Sequence, residues 1–338
     1  MLRLLAFAAA YLGLAFPPSF IPRALEALPI SEEHGTSAIS SLRWFFAICL
    51  LWQVNVILSR WAENRWSWRT DRSAWNWEKE VAVVTGGSSG IGAEIVQRLI
   101  SHGIRVAVLD IVPLSDALQH NDHISFYQCD VGSRHAVQKA GEAVRSDLGV
   151  PSILLNNAGI GNGVPILEVP PERLRAIFDV NILSHWNTVQ EFLPGMIAMK
   201  KGHVMSTASL AAFSGLAGTV DYCATKAGVM AFHEGLAQEL KHRYNCPEIK
   251  TTIVYPSWTR TPMASPFEQN IKRAGSRLVD AEYVAGKMVD RILARRSGQL
   301  ILGPTLFASA RAFPMWLQEY IRDTQASIVK FDAPAAAA

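Results

Sequence analysis

Two kinds of hydrophobic pattern divide the chain. Residues 4–16 are thirteen consecutive apolar positions behind Arg3, and a second run, 44–58, is interrupted only by Gln53 and Asn55. From Lys79 the pattern changes to short apolar runs separated by longer amphipathic stretches. Val81-Ala82-Val83-Val84 reads as a strand that ends in a glycine turn at 86–92. Residues 91–100 then read as a helix, with Ile91, Ile95 and Leu99 on one face. Further strands are predicted at 104–109, 124–127, 153–155, 203–206, 251–255 and 299–302. Strands that are continuously apolar belong to a parallel sheet covered on both faces. The expected fold is therefore α/β, a single doubly wound parallel sheet behind a hydrophobic amino-terminal segment. Residues 1–78 form the anchor and linker, 79–305 the α/β domain and 306–338 an amphipathic tail.

The first segment is unlike the rest in composition as well. Seven of the ten tryptophans lie in it: Trp44, Trp52, Trp61, Trp66, Trp68, Trp75 and Trp77. Ala15-Phe16-Pro17 makes a poor signal-peptide cleavage site, and Pro17, Pro18 and Pro22 break the chain. The fifteen residues of the second run reach only about 23 Å as a helix, short of a hydrocarbon core of roughly 30 Å. Extension to Leu42 and Trp61, with Arg43 and Arg60 snorkelling at the ends, lengthens it. Trp44, Trp61, Trp66 and Trp68 suit the headgroup level, where an indole keeps its N–H wet. Together the runs predict a membrane anchor, spanning or interfacial; the alternative is two helices packed as ordinary core. Arg60, Arg65, Arg69 and Arg72 outnumber Glu63 and Asp71 after the second run, while Arg23 faces Glu26, Glu32 and Glu33 between the runs. Positive-inside counting then puts the α/β domain in the cytosol.

Composition narrows the function classes. Of 338 residues 49% are hydrophobic and 18% charged, which excludes a disordered chain. The net charge is +3 without a Lys/Arg block, so no nucleic-acid partner is expected. Cys49, Cys129, Cys223 and Cys246 form no CxxC pair and no metal spacing, which suits a reducing compartment. His120 and His123 lack a ligand partner, and no catalytic metal is implied.

Thr85-Gly86-Gly87-Ser88-Ser89-Gly90-Ile91-Gly92 joins the first strand to the first helix of the domain. Glycines there let backbone N–H groups approach a pyrophosphate that the helix amino terminus also stabilises, the pattern of a Rossmann-type site. Asp110 ends the second strand eighteen residues after Gly92, where its carboxylate can accept from adenosine ribose hydroxyls. The same charge repels a 2′-phosphate, and Ile111 offers no cation, so NAD(H) is favoured over NADP(H). Asp130 and Val131 follow the third strand and Asn156-Asn157-Ala158-Gly159 the fourth, at the rim where such sheets bind ligands.

Tyr222 and Lys226 share a helix face at i, i+4, and an ammonium beside a phenol favours phenolate, as acid–base catalysis near neutrality requires. Ser209, thirteen residues earlier, could donate to a substrate oxygen beside the tyrosine. Asn181, amid Val180, Ile182 and Leu183 in the helical stretch 172–190, is either a hydrogen-bonded core amide or a kink that holds water for a proton path to Lys226.

In that order and spacing the residues resemble the short-chain dehydrogenase/reductase family over about 79–305. The family's glycine motif matches 85–92, its NNAG motif matches 156–159, and its catalytic tetrad matches Asn181, Ser209, Tyr222 and Lys226. Thr261, in Pro256-Ser257-Trp258-Thr259-Arg260-Thr261, matches the residue that bonds the nicotinamide carboxamide, although Ser257 replaces a more frequent glycine. The resemblance implies that Gly86, Ser88, Ser89, Gly90, Ile91, Gly92, Asp110, Asp130, Val131, Asn157, Ala158, Gly159, Tyr222, Lys226 and Thr261 contact the cofactor. It also implies hydride transfer between an alcohol and nicotinamide, with Tyr222 exchanging the proton, Ser209 orienting the oxygen and Lys226 holding the ribose.

The hydrophobic extension looks like that of the membrane-associated retinol and 17β-hydroxysteroid dehydrogenases of the endoplasmic reticulum and lipid droplets, and the Trp-rich junction and the Gly303-Pro304…Pro314-Met315-Trp316 tail resemble fungal members of that branch. That implies a lipophilic alcohol or ketone as substrate and a bilayer or droplet surface as partner. It also implies a homodimer paired through 172–190 and the helix near Tyr222. The rivals are an NADPH-dependent carbonyl or 3-ketoacyl reductase, and a non-catalytic NAD-binding scaffold at a membrane. Residues 258–277 are expected to cover the pocket, with Trp258, Met263 and Phe267 either lining it or packing the loop. Cys223 is expected to be packing.

Overall fold

A computed structural model describes residues 2–15, 32–66 and 74–329. Pro17, Pro18, Pro22, Arg23, Glu26, Trp68, Arg69, Asp71 and Arg72, and the tail beyond Val329, lie outside the described residues. The chain divides into two compact units, Met1–Arg69 and Thr70–Ala338.

In the first unit the two apolar runs are helices α1 (Leu2–Ala15) and α2 (Glu32–Glu63). They pack on each other, with the Phe7 and Phe46 rings 6.3 Å apart. Arg43 does not reach outward as expected for a snorkelling end; its Nε donates to the Leu14 carbonyl oxygen at 2.6 Å. That carbonyl belongs to the last turn of α1, where no intrahelical donor exists and a cation also suits the helix dipole. The helix is longer than the apolar run. Residues Thr36–Glu63 are 28 residues of mean hydropathy 1.6 whose most apolar window buries none of its residues. At 1.5 Å per residue they reach about 42 Å, enough to cross a bilayer. Gln53 and Asn55, which interrupt the apolar pattern, leave the helix intact because its backbone bonds do not depend on side-chain polarity.

The second unit holds seven parallel strands in the order β3-β2-β1-β4-β5-β6-β9. These are β1 (Val81–Thr85), β2 (Arg105–Asp110), β3 (Ile124–Gln128), β4 (Ile153–Asn156), β5 (His203–Thr207), β6 (Lys250–Pro256) and β9 (Gly298–Leu302). The short pair β7 (Thr259–Arg260) and β8 (Val279–Asp280) lies in the connection between β6 and β9. Alternation along each strand separates two cores. Ala82, Val84, Val106, Val108, Leu155 and Met205 pack against Ile95 and Leu99 of α3 (Gly90–Ile100) and Val284, Met288 and Ile292 of a later helix, Ala281–Leu293. On the other face Val83, Ala107, Leu109, Leu154 and Val204 meet α4 (Arg134–Asp147), α6 (Ser184–Met199) and α7 (Val220–His242) through Val137, Val144, Val189, Phe192, Leu236 and Leu240. Both faces are covered, which is why the strands read as continuously apolar. Trp75 and Trp77 pack against the first of these cores and so go with the α/β unit.

The strand order reverses between β1 and β4, so their connections leave in opposite directions and open a crevice at the carboxyl ends. The glycine turn, the NNAG turn and the loop after β5 all lie at that rim. On the same side, Ile328 and Val329 are buried with Ile271, and Trp258 and Phe267 pack on them. Trp258 and Phe267 thus pack the loop after β6 onto the residues around Val329. A Cβ at Gly218 would stand 2.7 Å from the Val329 carbonyl oxygen, so the tail also abuts the turn leading into α7.

Candidate active site

Backbone demands shape the glycine turn. Gly86 has φ +64°, and a Cβ there would lie 2.8 Å from the Ala158 Cα. Gly90 has φ +55° and faces Thr261, whose Cγ2 would be 3.3 Å from an added Cβ. A Cβ at Gly92 would strike the Gly86 carbonyl oxygen. The turn is thus a cradle that side chains would fill, and Thr261, far along the chain, closes one side of it. Ser89 is the N-cap of α3, yet its side chain caps no amide. The first-turn N–H groups of Gly90, Ile91 and Gly92 have no carbonyl one turn back to bond, the arrangement that receives a phosphate. These residues fit a dinucleotide.

Six expected cofactor contacts also bond within the protein. The Ser88 N–H donates to Asp110 Oδ2 at 3.0 Å and its Oγ donates to the Val112 carbonyl at 2.7 Å. Both donors are therefore engaged in bracing the turn against the end of β2. Asn157 Nδ2 donates to the Thr85 and Gly86 carbonyls at 3.3 and 3.2 Å, while the Asn157 and Ala158 N–H groups both donate to Thr85 Oγ1 at 3.0 Å. Carbonyls turned out by a tight glycine loop need donors, and Asn157 supplies them. Asp130 Oδ1 accepts from the Gly132 N–H at 2.9 Å, closing its own turn. Asn187 Nδ2 donates to the Val131 carbonyl from α6, also at 2.9 Å. Asp110 accepts once on each oxygen, from Ser88 and, at 3.1 Å, from the Val112 N–H. A carboxylate oxygen has two lone pairs, so each keeps an acceptor position.

The four residues of the expected tetrad meet at the ends of β4 and β5. Lys226 and Tyr222 sit on the first turns of α7, with Nζ 5.5 Å from the ring centroid. Lys226 is buried and donates to the Thr207 carbonyl at 2.9 Å. Ser209, which opens the 3-10 turn Leu210–Ala212, lies near enough to the Tyr222 phenol to lower its pKa. Asn181 lies in a π-helical turn, Asp179–Leu183, between α5 (Pro171–Phe178) and α6, so the predicted kink interrupts what reads as one helix. Its Oδ1 accepts from the Ile160 N–H at 2.8 Å, and its Nδ2 donates to the Ile160 carbonyl at 2.9 Å and to Thr225 Oγ1 at 3.1 Å. Both amide hydrogens are engaged, so Asn181 clamps the loop after β4 to α7. Gly159 separates Asn181 Oδ1 from Lys226 Nζ; a Cβ there would be 3.4 and 3.5 Å from them.

Burial, not the ammonium, sets the charge states of these groups without a ligand. It pushes the Tyr222 phenol up to about 12, against the lowering effect of Ser209. It also brings Lys226 down to about 8. The expected depression of the phenol by Lys226 is not what dominates. Cys223 is buried, with its thiol 3.7 Å from Thr219 Oγ1 and pushed up by burial, hence a packed thiol.

On the substrate side, Met263 reaches the cleft: a Cβ at Gly161 would lie 3.8 Å from its Sδ and 3.9 Å from Tyr222 Cδ2. A contact absent from the sequence reading is that of Asn162 with Asp221, at 2.7 Å. The two are far apart in sequence, and nothing in the local pattern of either announces the pairing.

The short chain dehydrogenase profile matches residues 80–272, more than half of the chain. The chain belongs to this family. Among curated relatives, it is 40% identical over 186 residues to dehydrogenase RED2 of Cochliobolus heterostrophus, covering 55% of this chain and 70% of that one. It is 34% identical to retinol dehydrogenase 10-B of Xenopus laevis (54% and 63% covered) and 32% identical to epidermal retinol dehydrogenase 2 of Mus musculus (63% and 71%). In the Xenopus case the match spans less than two thirds of the relative. A solved 3-ketoacyl-(acyl-carrier-protein) reductase from Brucella melitensis, complexed with NADH, superposes with a TM-score of 0.61 at 24% identity, over 67% of this chain and 97% of that one. That likeness concerns the fold. The enzyme is a short-chain oxidoreductase acting on CH–OH groups.

Proposed function

We propose that the enzyme is a membrane-attached, NAD-dependent dehydrogenase that interconverts a lipophilic alcohol and its carbonyl. The observation that carries the reading is the convergence of Ser209, Tyr222 and Lys226 beside a glycine cradle whose far wall ends in Asp110. When bound, nicotinamide supplies the hydride acceptor or donor. In oxidation Tyr222 removes the hydroxyl proton, and in reduction it returns one. Ser209, held by its 3-10 turn, orients the substrate oxygen and steadies charge as it develops there. Lys226 binds the ribose from the floor formed by Thr207. The first turn of α3 receives the pyrophosphate, Asp110 accepts from the adenosine ribose, and Thr261 reaches the carboxamide. Reactants fixed in close approach are the chief contribution of such a frame.

Two relatives named as retinol dehydrogenases support a lipid-like alcohol. Purified enzyme in mild detergent, given NAD and a panel of retinoid, steroid, long-chain and isoprenoid alcohols, is expected to produce reduced cofactor with some of them. Silence across the panel with both NAD and NADP would remove the reading. In the same assay, kcat/KM is expected to be higher with NAD than with NADP, and Asp110→Ala to narrow the ratio by removing the charge that repels a 2′-phosphate. Wild-type preference for NADP would point instead to a carbonyl reductase.

For attachment the support is α2, long and apolar and with its most apolar window uncovered. The enzyme belongs at the endoplasmic reticulum, with lipid droplets as a second site, and its α/β unit faces the cytosol. Carbonate washing is expected to leave it in the membrane pellet, and protease added to intact microsomes to digest the α/β unit. Release by carbonate would reject an embedded anchor. Pairing as a homodimer is supported by Leu174, Phe178, Leu183 and Trp186, all more than a third exposed on α5, the π turn and α6.

A further inference from the structure

The loop that follows β4 runs past the face of Tyr222. A Cβ at Gly161 would lie 3.9 Å from Tyr222 Cδ2, and Gly163, two residues on, has φ +66°. Between them Asn162 projects its amide to Asp221, the residue just before Tyr222, and Nδ2 donates to Asp221 Oδ2 at 2.7 Å. The other carboxylate oxygen, Oδ1, accepts from the Tyr222 N–H at 2.7 Å. That N–H is one of the first-turn amides of α7 that no carbonyl of the helix can reach, and an anion in the first turn also suits the helix dipole. Asp221 is 7% exposed, so both bonds are sheltered from water, and bonds to an ionised acceptor are the strong ones. The Asn162 amide is also 3.4 Å from the Arg173 carbonyl, which ties the same side chain to α5.

One carboxylate thus grips the backbone of Tyr222 with one oxygen and the loop beside the Tyr222 ring with the other. We propose that Asn162 and Asp221 are a positioning pair: they fix the phenol relative to the wall of the substrate cleft and transmit the position of that wall to the proton-transfer group. The inference rests on Tyr222 being that group. Neither residue touches reacting atoms. Their effect lies in holding the phenol where it meets the substrate oxygen, and small displacements from a productive geometry are costly in rate.

The test compares full-length variants in mild detergent, with NAD and the retinoid, steroid, long-chain or isoprenoid alcohol that the wild type turns over fastest. Asn162→Ala is expected to lower kcat about tenfold, with KM and the NAD dissociation constant within about twofold of wild type. Asn162→Asp sets two carboxylates against each other and is expected to fall further. Adding Asp221→Asn to it restores a donor facing an acceptor with the partners exchanged, while the amide introduced at position 221 still offers an oxygen to the Tyr222 N–H. This double variant is expected to recover most of the lost kcat. Unchanged kcat in Asn162→Ala would overturn the proposal, and so would a double variant no faster than Asn162→Asp alone. A parallel loss of NAD affinity would also overturn it, since that marks general damage to the domain. Full turnover in Tyr222→Phe would instead remove the site reading on which the pair depends, so the two failures are separable.

Discussion

Replacing Tyr222 by phenylalanine is expected to lower turnover by roughly two or more orders of magnitude, the usual worth of a positioned proton-transfer group. The substitution removes one oxygen from a half-buried side chain and keeps the ring that lies beneath Lys226 Nζ and beside Gly161. Binding of NAD, followed by quenching of protein fluorescence or by calorimetry, is expected to survive. The pH dependence gives a second signature. Burial holds the phenol up to about 12, so alcohol oxidation, which needs it deprotonated, has kcat/KM rising with pH through the range above neutrality. Reduction needs the protonated phenol and runs the other way. In Tyr222→Phe the residual oxidation rate loses that rise. Near-normal turnover, or an unchanged pH profile, would mean that the proton leaves by another group.

A comparably large effect is expected from Gly92→Ala, read as loss of cofactor affinity. The new methyl would strike the Gly86 carbonyl oxygen and come within 2.8 Å of Asn157 Nδ2. Neither neighbour can yield cheaply. Gly86 is held against Ala158 at the site of its own positive φ, and Asn157 already bonds the Thr85 and Gly86 carbonyls. Relief therefore moves the start of α3 and the phosphate cradle with it. NAD affinity is expected to fall at least about 100-fold, roughly 2.7 kcal/mol. The far-UV spectrum should hold, because Gly92 opens a helix that packs through Ile95 and Leu99 further on. Wild-type affinity would show that the pyrophosphate does not sit at this turn.

The sheet was legible because parallel strands buried on both faces need continuous apolar runs, and the residues between them carry helical periodicity. Strand ends moved by no more than one residue, as where polar termini such as Asp110 and Asn156 still pair in the ladder. Tyr222, Lys226 and Ser209 were legible from spacing and from the family's motifs. What spacing does not carry is how a donor is engaged. Ser88 and Asn157 lie in the cofactor motif, yet their hydrogens hold the turn together. The charge state of Tyr222 depends on burial, a property of the folded neighbourhood and not of the i, i+4 pair. Arg43 pairs with a carbonyl on another helix, and Asn162 with a carboxylate on another element; such partners exist only once the chain has folded.

A loop that covers a cleft ordinarily opens by itself, within the lowest rung of local unfolding. Here the loop after β6 shares its buried side with Ile328 and Val329, which are 1% and 7% exposed. Swinging Trp258, Phe267 and Ile271 away would bare those two aliphatic side chains as well, each worth roughly 1.5–3 kcal/mol of burial. Loop and tail are therefore expected to exchange their amide hydrogens as one cooperative block, so that opening of the loop after β6 also frees the residues around Val329.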